Sequence, residues 1–226
     1  MEHSEEVERI RRVYADLKPT LDRNPGDLIS IRERDAALKQ LLNEQFKDKL
    51  PRSRVLDVGC GRSALLDLFH QQGVPAEGLF GVDILPDRLA AARERYPGFT
   101  FIDGNAENLE FPDQWFDFVI VFTVFSSILD GEMAKNVARS IARVLAADGI
   151  VVWYDMRYPN PWNSNVKEMT KSRIRELFPS FELQLQPLSL LPPLARHLGQ
   201  FTESAYPRLA AIPILRSHYL GLLRAR

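Results

Sequence analysis

The chain holds a single cysteine among its 226 residues. One thiol makes neither an internal disulfide nor a cysteine-based zinc site, so the expected compartment is a reducing one, the cytoplasm, and no metal is expected. An excess of either charge is missing as well: 29 Lys and Arg stand against 30 Asp and Glu, a formal charge of −1. A chain built to grip nucleic acid carries a strong basic surplus, so no nucleic-acid partner is expected. Long apolar runs are absent. No stretch reaches the roughly 20 apolar residues that cross a bilayer, and the opening MEHSEEVERIRRVY lacks the apolar centre of a secretory signal. What is present is ordinary, 45% hydrophobic and 26% charged residues, enough at this length for one sizeable core.

The chain divides into three textures. Residues 1–50 are charged and helical in period, and are expected to form a helical lid or to pack on the core. Within them Ser30 and Glu33 read as an S-x-x-E capping box, followed by Ile31, Leu38, Leu41, Leu42 and Phe46 on one face, with Asn24-Pro25-Gly26-Asp27 as a turn before it. Residues 51–226 form the main domain. Strands are predicted at Arg54–Val58, Leu79–Ile84, Phe99–Ile102, Phe116–Phe122 and Ile150–Asp155, with helices at Ala64–Gln72, Arg88–Tyr96 and Gly131–Leu145 between them. Alternation at this spacing requires right-handed crossovers and a mostly parallel sheet covered on both faces. In the last third a Pro/Asn-rich loop leads to a short helix, Lys171–Phe178, a strand at Phe181–Leu185 and a final strand at His218–Leu223. Residues 156–217 thus add a loop, a helix and a proline-punctuated insertion, Ser189–Leu215, before that last strand.

The sharpest segment is VLDVGCGRSALLDLF, Val55 to Phe69. A strand ends beyond Asp57, and Gly59 and Gly61 turn the chain into a helix whose first N–H groups are unpaired. Asp83 closes the second strand, where an acid reaches vicinal ribose hydroxyls at a doubly wound switch point. A dinucleotide fingerprint wants a third glycine, but that position is Ala64. Asp57 opposes a pyrophosphate and favours a cofactor bearing an ammonium and a sulfonium.

Asp57-x-Gly59-x-Gly61 followed by Asp83 resembles the class I S-adenosylmethionine-dependent methyltransferases. The resemblance continues in order through DGNAENLEFPDQWFDFVIVFTVFSSILD and RVLAADGIVVWYD, over about 100 residues, and is similar to the ubiquinone/menaquinone-biosynthesis-like members. It implies an α/β Rossmann-like sheet of seven mostly parallel strands with helices on both faces, an N-terminal helical lid and an insertion before the last strand. It implies S-adenosyl-L-methionine as cofactor and S-adenosyl-L-homocysteine as product. By the same resemblance Asn105 and Ala106 flank the adenine, where the family usually has Asp in place of Asn105. Ile84 packs on the adenine face and Phe122 lines the methionine portion. Cys60 fills the turn between the glycines, and Arg32 or Arg34 pairs with the methionine carboxylate.

The methyl donor is already activated, so alignment and exclusion of water are the main demands on the protein. Where the acceptor must lose a proton, a base is needed. Many small-molecule members carry His where this chain has Ser127. The candidates at the carboxyl end of the sheet are Asp155, Tyr154, Ser126 and Ser127, with Asp155 best addressed because it closes the fifth strand. Trp153, Tyr154, Tyr158 and Trp162 are candidate aromatic faces for a cation or a flat acceptor. His197 and His218 are read first as structural. Nothing resembles the N/D-P-P-Y/F signature of enzymes that methylate amino groups of nucleic acids and proteins, so a small-molecule or lipid-linked acceptor is expected. Residues 187–226 carry five Arg against one Glu, which points to an acceptor that is acidic or partly apolar. A monomer or homodimer is expected. An inactive cofactor-binding partner or sensor subunit is the alternative reading. A nicotinamide-dependent oxidoreductase is a third, opposed by Asp57 and Ala64.

Overall fold

The computed structural model describes residues 2–15 and 24–226. Seven strands form one sheet: β1 (Val55–Val58), β2 (Leu79–Asp83), β3 (Thr100–Asp103), β4 (Phe116–Phe122), β5 (Leu145–Met156), β6 (Phe181–Leu190) and β7 (Arg216–Ala225). Their order is β3-β2-β1-β4-β5-β7-β6. β1 to β5 pair in parallel, while β7 runs antiparallel to both β5 and β6. The chain reverses its direction of travel across the sheet between β1 and β4. The carboxyl ends of these strands therefore border the crevice where doubly wound folds bind ligands.

Helices cover both faces, so β4 is apolar along almost its whole length instead of alternating. Phe118, Ile120 and Phe122 point to one face, where α2 (Pro25–Phe46), α3 (Ala64–Gln71) and α4 (Pro86–Arg95) bring Leu38, Leu42, Phe46, Phe69 and Leu89. Val119 and Val121 point to the other, against α5 (Gly131–Val144) and α6 (Lys171–Leu177). α5 is held at its start by Asp130, whose carboxylate accepts from the Met133 N–H at 2.6 Å. It buries Met133, Ala134, Val137, Ala138, Ile141 and Val144, one stripe of a 3.6-residue period.

The N-terminal zone departs from the sequence reading at the start of its second helix. α2 starts at Pro25, five residues ahead of the expected box: Asn24 caps it by accepting from the Gly26 N–H at 2.8 Å, and Pro25 occupies the first helical position, where its missing N–H costs nothing. Ser30 lies inside the helix and donates to the Gly26 carbonyl, while Glu33 turns away to Tyr206 and Arg216. The first helix, α1 (Glu2–Ala15), is separate from α2. Of the expected lid over 1–50, residue 1 and residues 16–23 lie outside the described residues.

The insertion between β6 and β7 holds α7 (Pro192–His197) and α8 (Thr202–Ala210), which dock on α2. A Cβ on Gly26 would stand 2.1 Å from the Ala195 carbonyl oxygen, so only glycine lets these two backbones approach. Arg196 pairs with Asp27 at 2.9 Å, Arg32 with Glu203, and Arg216 with Glu33. Two arginines of the basic C-terminal stretch are thus matched by carboxylates of α2. No helix among the described residues is long and apolar enough to cross a membrane.

Candidate cofactor site

The turn after β1 is shaped by backbone that side chains resist. Gly59 and Gly61 have φ of 70° and 54°. A Cβ on Gly59 would also meet Val124 at 3.1 Å. The Gly59 and Cys60 N–H groups are tied to the Val82 carbonyl at 2.8 and 3.1 Å, which binds the turn to the end of β2. Asp83, at that end, accepts from the Gly61 N–H at 2.8 Å with one oxygen and from the Leu85 N–H at 2.9 Å with the other. Each oxygen keeps a lone pair for a further donor. Burial raises the Asp83 carboxyl above its ordinary range, against the pull of those N–H groups.

These elements border a cleft of about 150 Å³. Of the expected cofactor residues, Gly59, Asp83, Ile84, Asn105, Ala106 and Phe122 line it, together with Ser127. Asn105 caps the short turn Ala106–Asn108, its side-chain oxygen accepting from the Glu107 N–H at 3.0 Å. A second lone pair of that oxygen remains for a donor in the cleft. Gly61 reaches the site through Asp83. Cys60 does not line the cleft; its sulfur packs toward Gly81 and burial pushes the thiol up, which makes it inert filler.

Asp57 lies beneath the turn, 2% exposed, and one of its carboxylate oxygens is buried without a hydrogen-bond partner. Burial and the neighbouring Asp83 raise its carboxyl well above the usual value, and Arg34 opposes them. An orphaned acidic oxygen beside a glycine turn and a ribose-type acid matches a cofactor that carries an ammonium and two vicinal hydroxyls. Arg34 itself stays outside the cleft lining. It bonds Asp35 and sits 5.6 and 5.8 Å over the Phe122 and Tyr154 rings.

Sequence reasoning missed the groups that α1 brings. Ile10 and Tyr14 line the cleft, as do Leu85, Arg88 and Thr123. Glu6 accepts from the Leu129 N–H at 2.6 Å, Arg9 donates to the Ser127 carbonyl, Arg11 to the Ile84 carbonyl at 3.2 Å, and the Tyr14 hydroxyl meets Ser127 Oγ. Arg88 closes the other side by donating to the Tyr14 carbonyl at 2.8 Å. Thr123 has φ of 56°, a strained value for a β-branched residue, held by its N–H to the Tyr154 carbonyl at 2.7 Å.

The catalytic candidates separate. Ser127 is in the cleft. Ser126 is buried, its N–H donated to Asp155 at 3.0 Å and its carbonyl taken by the Lys167 N–H at 2.8 Å. Asp155 is fully buried and points to the α5 and α6 face, opposite to Tyr154. Its other oxygen accepts from the Met156 N–H at 2.8 Å, and burial pushes the carboxyl up to about 6. It therefore pins the Phe125–Ser127 turn from below and does not line the cleft. Trp153 shares that face, stacked on Phe125 at 5.3 Å in the core, where no ligand meets it.

Residues 55–149 match the methyltransferase domain family. The ubiquinone/menaquinone biosynthesis C-methyltransferase of Campylobacter jejuni is 24% identical over 152 residues, 64% of this chain and 62% of that one. The phthiotriol/phenolphthiotriol dimycocerosates methyltransferase 1 of Mycobacterium ulcerans is 30% identical over 131 residues, 57% of this chain and 47% of that one. The chain thus spans less than two thirds of the length of these relatives. Among solved structures, the N-methyltransferase NodS of Bradyrhizobium japonicum, in complex with S-adenosyl-L-homocysteine, has the same fold, with a TM-score of 0.69, 17% identity and coverage of 97% and 98% of the two chains. Residues 55–149 are thus similar to a methyltransferase domain, and the chain shares the fold of a methyltransferase of known structure.

Proposed function

We propose that this chain transfers a methyl group from S-adenosylmethionine to a small-molecule or lipid-linked acceptor. The observation that carries the reading is the buried Asp57 oxygen without a partner, set beneath the turn that Asp83 closes. Asp57 would face the amino group of the cofactor and Asp83 its ribose hydroxyls. Ile84, Asn105 and Ala106 would hold the adenine, with Phe122 against the methionine chain and Arg34 behind it. When bound, the cofactor supplies a methyl group on a sulfonium that departs as a neutral thioether. The protein's work is to place the acceptor in line and to keep water out.

α1 performs part of that exclusion. The cleft is smaller than the roughly 300–1,000 Å³ of ordinary ligand pockets, and Ile10 and Tyr14 of α1 form part of its wall. Entry of a nucleoside-sized ligand therefore displaces α1, and its return over the ligand closes the site. The two relatives whose names describe a quinone pathway and a mycocerosate lipid favour an apolar acceptor.

Calorimetric titration tests the reading. S-adenosylhomocysteine is expected to bind, with NAD(H) giving no response. Asp83→Ala is expected to abolish binding of S-adenosylhomocysteine, since two hydrogen bonds to a charged group are worth about 3–6 kcal/mol together. Tight NAD(H) binding with no response to S-adenosylhomocysteine would overturn it.

A further inference from the structure

A second cavity, of about 810 Å³, shares no lining residue with the cofactor cleft. It lies where the loop after β5 meets the insertion, walled by Met156, Tyr158 and Trp162 on one side and Leu191, Pro193 and Leu194 on the other. Trp162 is 81% exposed, a large ring with nothing over it. His218, on β7, belongs to the same wall.

The hydrogen bonds around His218 settle its tautomer. Its Nδ1 is 2.7 Å from Ser217 Oγ. That hydroxyl also lies 3.1 and 3.2 Å from the Ser189 and Leu190 carbonyl oxygens. Carbonyls only accept, so the single hydroxyl proton goes to them, and toward the imidazole Ser217 is the acceptor. The reverse assignment would set hydroxyl lone pairs against two carbonyl oxygens. Nδ1 therefore carries the ring proton and Nε2 a lone pair. Among the described residues the ring's hydrogen bond is the one at Nδ1, and none is seen at Nε2. The ring lies flat on Tyr154, with centroids 4.6 Å apart, and Tyr154 in turn packs against Phe122 of the cofactor cleft at 5.2 Å. Burial and the Arg34 guanidinium hold the imidazole down to about 4, so it is neutral at ordinary pH.

We propose that this cavity binds an uncharged apolar molecule through a hydroxyl group that donates to His218 Nε2. The walls accept an apolar body. A carboxylate has no proton to give Nε2, and Arg196, the cation at the rim, is already paired with Asp27. An ammonium would lose its hydration among apolar walls without a carboxylate in the lining to compensate. That the bound molecule is the methyl acceptor rests on the proposed transfer; that the site exists does not.

The test uses the full chain loaded with S-adenosylhomocysteine and two probes, 4-propylphenol and its methyl ether 4-propylanisole, which differ in the ability to donate. Calorimetry is expected to show the phenol binding about tenfold more tightly than the ether, the worth of one hydrogen bond. His218→Phe keeps a ring on Tyr154 and removes the acceptor, so it is expected to erase the preference while still binding both probes weakly. Nitrogen NMR of the imidazole gives a second readout. The Nε2 resonance is expected to move with the phenol and not the ether, and Ser217→Ala is expected to mix the tautomers. Equal binding of the two probes by the native chain overturns the inference, as does a preference that survives His218→Phe or the binding of neither probe. If S-adenosylhomocysteine binds in the same sample while the probes fail, the inference falls and the transferase reading stands. Probe selectivity without any binding of S-adenosylhomocysteine gives the opposite result.

Discussion

Replacing Asp155 with Asn would separate a buried structural carboxyl from a working base. The group stands at 3.8 in an ordinary environment and is raised to about 6 by its burial beneath the Phe125–Ser127 turn. At about 1.4 kcal/mol per tenfold change in proton affinity, that difference is worth about 3 kcal/mol. A carboxyl raised on folding stabilises the native state at low pH and loses that contribution as pH rises through its folded value. The native chain should therefore lose about 3 kcal/mol relative to Asp155→Asn between about pH 3 and pH 7. For a chain of this size the loss corresponds to a relative shift of about 6–12 °C in melting temperature. Urea unfolding of both proteins across this span is the assay. The absolute stability of the variant also reflects the acceptor lost toward the Met156 N–H. The change of the difference with pH does not, and subtraction removes the titrations of His218 and Asp57, which the two proteins share. A difference constant to within about 0.5 kcal/mol would refute the reasoning, because it would mean that the carboxyl is hydrated or moves freely.

Other outcomes follow from the same geometry. A cation arriving beside Asp57 lowers its raised carboxyl, so S-adenosylhomocysteine binding should release protons. The heat should then differ between buffers of unlike ionisation enthalpy, and buffer-independent heat would count against Asp57 as the ammonium partner. Removal of residues 1–15 takes away the contacts of Glu6, Arg9, Arg11 and Tyr14. Both association and dissociation of S-adenosylhomocysteine should then speed up by about tenfold or more in surface plasmon resonance; unchanged rates would show that α1 is no barrier. Gly26→Ala should destabilise the chain by about 1–3 kcal/mol in urea by forcing α2 and α7 apart. Gly59→Ala should abolish S-adenosylhomocysteine binding while the fold, read by circular dichroism, persists, since its φ of 70° and the Val124 contact both resist a side chain.

The mostly parallel sheet and the glycine turn after β1 were legible because each depends on local signals: apolar runs bounded by glycine, and acids at strand ends. The role of Asp155 was not. Its strand is buried on both faces, so Ile150 to Tyr154 is apolar throughout and no alternation reveals which face the next residue joins. Counting from Tyr154, which lies with Phe122 and Arg34, puts Asp155 on the other side. The start of α2 was misread for a related reason. Ser30 and Glu33 have the spacing of a capping box, but Glu33 is drawn to Tyr206 and Arg216 from far along the chain, and Asn24-Pro25 has the stronger local claim. α1 had a helical period, yet nothing in it signalled that Tyr14 would meet Ser127.

The close seat of Gly26 on Ala195 has a mechanical meaning. α2 is 22 residues long and is gripped at its start by the insertion, through Asp27, Ser30 and Glu33. Arg34, next to Glu33 in the same helix, lies over Phe122 and Tyr154. A helix clamped in this way behaves as a crossbeam: a push on the insertion, from whatever fills the cavity beside it, is delivered to the guanidinium behind the cofactor cleft. Substitutions in the insertion that loosen this grip are therefore expected to change the affinity for S-adenosylhomocysteine, which titration would read.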